Sequence, residues 1–228
     1  MNSILKQLCP PIVFSAAYRL REISAKSSSR STNGKTQDLD LYWDPRMADL
    51  LDTWGEGNAW NDIQLLMAHR EGKVLDIACG TGKVIEILSR FPTLDLHGCD
   101  ISDLLLERAA KRGIAADRLT VTDATRMSYA DKSFDFAYSI GSLEHFTEEG
   151  IVKFLHENRR IVTGPTFHMV PVSRSGKDQG WITPYQSYFN NSEGWWKEKC
   201  LQAYPSVTFL GSSWADKISE GRWLMCNP

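Results

Sequence analysis

Lys73-Val74-Leu75-Asp76-Ile77-Ala78-Cys79-Gly80-Thr81-Gly82-Lys83-Val84 is the stretch on which the fold turns. Its first half is a short apolar run with an acid near the end, the pattern of a parallel strand buried on both faces. Its second half opens a helix after two glycines. A tight Gly-x-Gly turn lets the backbone enter conformations closed to other residues and lets a ligand approach closely, while Asp76 can receive polar ligand groups at the strand's carboxyl end. Such a junction reads as a nucleotide-type binding site. A dinucleotide fingerprint would carry a third glycine three residues after the second, but Ile85 stands there. A pyrophosphate ligand, and with it an NAD enzyme, is therefore disfavoured.

At this turn the chain resembles the class I S-adenosylmethionine-dependent methyltransferases, whose first motif is matched from Val74 to Gly82. Further motifs follow in order. Leu94 to Asp100 is similar to the second strand, whose terminal acid binds the ribose in that family. Asp123-Ala124 matches the adenine-edge pair. Ser133 to Ile140 is similar to the fourth strand, and Gly141-Ser142-Leu143-Glu144-His145-Phe146 to the loop beneath the methyl donor. The resemblance covers Gly72 to the C-terminus. It implies an α/β, doubly wound, Rossmann-like seven-stranded sheet with a C-terminal antiparallel hairpin. It also implies S-adenosylmethionine held by Asp76, Ala78, Cys79, Gly80, Gly82, Asp100, Ile101, Asp123, Ala124 and Ser139. His145, with Glu144 to orient it or act instead, is the candidate base for a hydroxyl acceptor, the alternative being a histidine that only shapes its loop. His168 points either into the core or toward the site, which strand parity leaves open.

The 228 residues suit one domain with a short appendage, and a net charge of −2 with interspersed signs gives no reason to expect a nucleic-acid partner. The five cysteines are widely spaced and read as reduced thiols in a cytosolic protein, with no pattern of metal ligands.

Residues 1–25 form an apolar, proline-broken and basic segment, suited either to peripheral contact with the inner face of the cytoplasmic membrane or to packing on the domain. This opening resembles those of methyltransferases associated with surface-polysaccharide synthesis. Residues 26–37 read as a mobile polar linker and 38–71 as a helical lead-in, with Tyr42, Trp43 and Trp54 as lid candidates; the methyltransferase domain occupies 72–228. Within it the connection 173–193 is read as the acceptor loop. Arg174 and Lys177 are candidates for a phosphate or carboxylate, and Trp181, Tyr185 and Tyr188 for stacking on a sugar.

The expected activity is O-methylation of a sugar in surface-glycan biosynthesis. The rivals are methylation of nitrogen or carboxylate on a soluble small metabolite, and donor binding without turnover.

Overall fold

A computed structural model describes residues 37–183 and 186–228. The apolar segment, most of the linker, and Tyr185 lie outside these residues.

A seven-stranded sheet runs in the order β3-β2-β1-β4-β5-β9-β8. The first five strands in sequence are β1 (Gly72–Ile77), β2 (Leu94–Asp100), β3 (Leu119–Val121), β4 (Phe136–Ile140) and β5 (Thr166–Ser173). They are mutually parallel. The hairpin of β8 (Ser206–Ala215) and β9 (Ser219–Asn227) closes the sheet, with β9 antiparallel to both β5 and β8. This is the predicted doubly wound sheet with its antiparallel end. The fourth strand is shorter than expected: Phe134 makes only an isolated bridge to Val162 before β4 begins. The connection 173–193 holds a ribbon that the sequence did not signal, β6 (Trp181–Ile182) against β7 (Tyr188–Phe189).

Helices form where caps and apolar spacing dictate. Asp44 accepts from the Arg46 amide to start α1 (Pro45–Leu51), which has proline in its first turn. Asn58 caps α2 (Ala59–Met67), and α3 (Lys83–Leu88) follows the glycine turn. Ser102, Thr147 and Ser192 cap α4 (Asp103–Lys111), α5 (Glu148–Ile161) and α6 (Glu193–Cys200) in the same way. None of the helices among the described residues is long and apolar enough to cross a membrane. Cys79, Cys99, Cys200 and Cys226 are buried free thiols.

The sheet is covered on both faces, and alternation along each strand sorts the side chains between them. Leu75, Ala137, Val170 and Leu224 pack with Phe154, Leu155 and Trp196 of α5 and α6. Val74, Tyr138, Phe167 and Trp223 pack with Trp60, Ile63 and Leu88 of α2 and α3. His168 shares its face with Val170, so it points into the core against Phe154. There its Nδ1 pairs with Ser139 Oγ at 2.9 Å and its Nε2 with Thr166 Oγ1 at 3.0 Å. Burial pushes the imidazole down to about 3.

Asp62 of α2 joins the lead-in to the hairpin. It accepts from Ser212 Oγ at 2.6 Å, from the Ser213 amide at 3.0 Å and hydroxyl at 2.8 Å, and from Trp223 Nε1 at 3.2 Å. Trp223 is buried, so losing the carboxylate strands an indole N–H away from water. Asp62→Ala is expected to destabilise the protein by about 2–3 kcal/mol. Urea unfolding should show a lower midpoint at an unchanged slope, with Asp62→Asn recovering part of the loss. An unchanged midpoint would remove Asp62 from this role.

Candidate functional site

The glycine turn is built by conformation and by packing. Ala78, Gly80 and Gly82 all take left-handed φ angles, of 56°, 55° and 72°. A side chain at Gly82 would place its Cβ 2.5 Å from Ile114 and 2.8 Å from Ala109, so this glycine lets α3 seat against α4 and does not reach the cavity wall. Gly80 does line the cavity.

The carboxylate of Asp100, at the end of β2, ties two loops together. Its Oδ2 accepts from the Gly80 amide and its Oδ1 from the Ser102 amide, each at 2.9 Å. Burial raises its pKa, opposed by these backbone hydrogen bonds. Outside the turn, Asp52 at the end of α1 accepts from Thr81 Oγ1 at 2.5 Å and pairs with Arg112 Nη2 at 2.5 Å, while Arg112 Nε donates to the Thr81 carbonyl at 2.9 Å. The turn is thus clamped between the lead-in and α4.

At the carboxyl ends of β1, β2 and β4 opens a cavity of about 390 Å³. This is where ligands of open α/β sheets bind. Of the residues expected at the donor, Asp76, Ala78, Cys79, Gly80, Asp100, Ile101, Asp123 and Ala124 line it. Ser139 does not. It lies fully buried on the α5 face of the sheet, bonded to His168, because alternation along β4 turns it away from the cavity. Asp123 Oδ1 is engaged by the Thr125 amide and hydroxyl, each at 2.8 Å, which fixes its loop.

Glu144 and His145 also line the cavity. His145 Nδ1 lies 2.8 Å from the Ser187 carbonyl. A carbonyl only accepts, so Nδ1 carries the hydrogen and the lone pair is on Nε2. Burial pushes this imidazole down to about 4 and the Glu144 carboxyl up to about 8. At neutral pH the first is therefore uncharged and the second mostly protonated.

The lead-in closes the cavity. Tyr42, Leu51 and Trp54 stand on its wall, and the Tyr42 hydroxyl accepts from Gln186 Nε2 at 2.6 Å while its carbonyl accepts from Ser102 Oγ at 2.7 Å. Asp38 Oδ2 accepts from the Ser187 amide at 2.9 Å. Trp43, a lid candidate in sequence, is 42% exposed and donates its Nε1 to Asp103 outside the cavity. Gln186 and Asp38 had no local signature; their partners stand 144 and 149 residues away.

Only part of the acceptor loop reaches the cavity. Gln186 and Tyr188 are on the wall, whereas Arg174, Lys177 and Trp181 are not. The Arg174 amide is held by the Ile218 carbonyl beside the hairpin, and Trp181 packs edge-on against Phe189 within the ribbon.

The residues present fit S-adenosylmethionine. Asp76 Oδ2 is buried on the cavity wall with no hydrogen-bond partner among the described residues, and burial, offset in part by the nearby Tyr138 hydroxyl and reinforced by the Asp100 charge, raises its pKa. An ammonium group beside it would satisfy the oxygen and restore its charge. The oxygens of Asp100 keep lone pairs for vicinal hydroxyls, and the left-handed backbone at Gly80 gives close approach to a ligand.

Residues 74–164 match the family model described as a methyltransferase domain. With the strand order and the cavity, this match identifies residues 74–164 as a methyltransferase domain set in the class I, S-adenosylmethionine-dependent type of fold. Among curated proteins it is 34% identical over 110 residues to the mouse (Mus musculus) protein named "Probable tRNA methyltransferase 9B", covering 47% of this chain and 23% of that one. It is 31% identical over 138 residues to demethylmenaquinone methyltransferase of Thermotoga maritima, covering 57% and 59% of the two chains. The chain therefore spans about a quarter of the first of these relatives, at 23%, and less than two thirds of the second, at 59%. Among solved structures, a SAM-dependent methyltransferase from Aquifex aeolicus is 17% identical with a TM-score of 0.57, covering 80% of this chain and 98% of that one. The PH0226 protein from Pyrococcus horikoshii is 23% identical with a TM-score of 0.55, covering 73% and 88%. Both likenesses concern the fold.

Asp100→Ala is expected to weaken S-adenosylmethionine binding by about 1–3 kcal/mol, through lost charged hydrogen bonds and a loosened Gly80 turn. Calorimetric titration of the purified chain with the donor and with its demethylated product reads this directly. Equal affinities for variant and parent would take Asp100 out of the donor site.

Proposed function

We propose that the chain transfers a methyl group from S-adenosylmethionine to a hydroxyl of a small, uncharged acceptor held against the aromatic wall of the cavity, with His145 as the base. The observation that carries this reading is the state of His145: a neutral imidazole on the cavity wall, its Nδ1–H committed to Ser187 and its Nε2 left with a lone pair.

When bound, the donor supplies a methyl on a positively charged sulfur that leaves as a neutral thioether. The chain's share of the work is positioning and proton removal. Asp76, Asp100 and Asp123 hold the donor end of the cavity, and His145 Nε2 accepts the hydrogen of the acceptor hydroxyl. As the oxygen–carbon bond forms, that proton becomes strongly acidic, so even an imidazole whose pKa is near 4 takes it up.

The acceptor's character follows from the wall. Tyr42, Trp54, Phe146, Tyr188 and Trp214 all stand on it. The two lysines on the wall are committed, Lys83 to Glu86 at 2.7 Å and Lys153 to Glu149 at 2.6 Å. Arg174 and Lys177, which the sequence suggested for a phosphate or carboxylate, stand away from the cavity. An uncharged hydroxylated ring, whether a sugar or a planar phenol, fits aromatic walls through its faces and His145 through a hydroxyl. The surface-glycan pathway remains the proposed setting for a sugar acceptor. A relative named O-methyltransferase rstn1, from Aspergillus nomiae and 27% identical over 137 residues, is in keeping with oxygen as the atom methylated.

His145→Gln is expected to lower turnover by about 10²–10⁴-fold while donor affinity changes less than about twofold. Protonation removes the base, so activity should fall as pH drops through about 4 and hold steady through the range where an ordinary histidine titrates. Mass-spectrometric detection of methyl transfer to a panel of hydroxylated rings, repeated across pH, checks both. An acid limb near an ordinary histidine's value, or full turnover in the variant, would remove His145 as base.

A further inference from the structure

Glu144 is a buried polar group of the cavity wall that base catalysis by His145 does not use. It is 6% exposed, it lines the cavity, and its Oε2 has no hydrogen-bond partner among the described residues. Its Oε1 stands 3.8 Å from His145 Nε2, too far for the two to bond each other. An unmet carboxyl oxygen away from water costs about 1–3 kcal/mol. Two polar side chains thus line the cavity close to each other, each with a place for a partner.

We propose that this pair recognises two neighbouring oxygens of the acceptor, a 1,2-diol or a hydroxyl beside a carbonyl or ether, with His145 taking the oxygen that is methylated and Glu144 the one next to it. This rests on the hydroxyl-methylation reading above and narrows its substrate class. Oxygens on adjacent carbons stand about one hydrogen-bond length apart, on the order of 2.8 Å. Hydrogen bonds that converge from a concave wall, starting at Glu144 Oε1 and His145 Nε2, which stand 3.8 Å apart, end on oxygens closer together than those two atoms. Adjacent oxygens satisfy that condition, and oxygens set 1,3 on a flat ring do not. Burial keeps Glu144 largely protonated at neutral pH, so it both donates and accepts and can serve a hydroxyl, carbonyl or ether oxygen alike. A lone hydroxyl would leave the carboxyl buried and unmet, which is the strongest form of discrimination a polar pocket offers.

Titrating the full chain, saturated with S-adenosylhomocysteine, with catechol, resorcinol and phenol tests the proposal on wild-type protein. Catechol is expected to bind at least tenfold more tightly than either of the others. Glu144→Leu should bring the three within about twofold of one another, and Glu144→Gln, whose amide donates and accepts, should keep the preference. Comparable binding of all three to the parent, absence of saturable catechol binding, or a preference that survives in Glu144→Leu would overturn it. Incubating the same ligands with S-adenosylmethionine separates this inference from the reading beneath it. A vicinal preference in binding with no methylated oxygen refutes hydroxyl methylation and leaves the paired recognition standing. Methylated oxygen with no vicinal preference does the reverse.

Discussion

Everything at the functional end of this molecule depends on one buried carboxylate. Asp100 sits where β2 runs out, and its two oxygens take the amides of Gly80 and Ser102. Parallel strands present unpaired backbone at their carboxyl ends, and in a buried sheet those groups need partners. By supplying them, Asp100 fixes the turn after β1 and the cap of α4 relative to each other. The cost is a carboxylate held in a poorly solvated place, its pKa raised by burial. A ligand with hydroxyls to offer relieves that cost, so the tether that builds the turn is also what favours filling the cavity beside it.

A second layer of constraint runs through the lead-in. Tyr42 touches the donor side through Ser102 and the acceptor side through Gln186, and Asp38 holds the amide of the same residue, Ser187, whose carbonyl orients His145. The two halves of the cavity are therefore joined by one short segment of chain. The tautomer of His145 is fixed by backbone, which does not titrate, and not by a carboxylate. Burial does the remaining work, lowering the imidazole and raising the neighbouring Glu144.

Much of this was legible in the sequence because it is local. The strand, the glycine turn and its acids lie within a few residues of one another, and helix starts are announced by Asp44, Asn58, Ser102, Thr147 and Ser192. The seven-stranded sheet follows from their order. What was not legible is non-local or decided by facing. Ser139 and His168 lie on strands buried on both sides, so the apolar pattern holds no mark of which face a residue takes; both turn out to belong to the α5 side. Arg174, Lys177 and Trp181 had suitable chemistry, but composition does not say where a connection folds back. The β6–β7 ribbon of two-residue strands is too short for any periodicity. The Asp52–Thr81–Arg112 clamp and the Tyr42–Gln186 contact join residues with no shared local pattern.

The four hydrogen bonds at Asp62 place α2 against the hairpin across 150 to 161 residues of chain. They also form late in synthesis. The parallel core from β1 to β5 can assemble as it emerges, but α2 gains its hydroxyl and indole partners only after β8 and β9 have been made. Trp214, which stands on the cavity wall, arrives with them. A nascent chain halted before the hairpin would have its glycine turn and the acids at its strand ends, yet lack Trp214 on the cavity wall and the partners of Asp62.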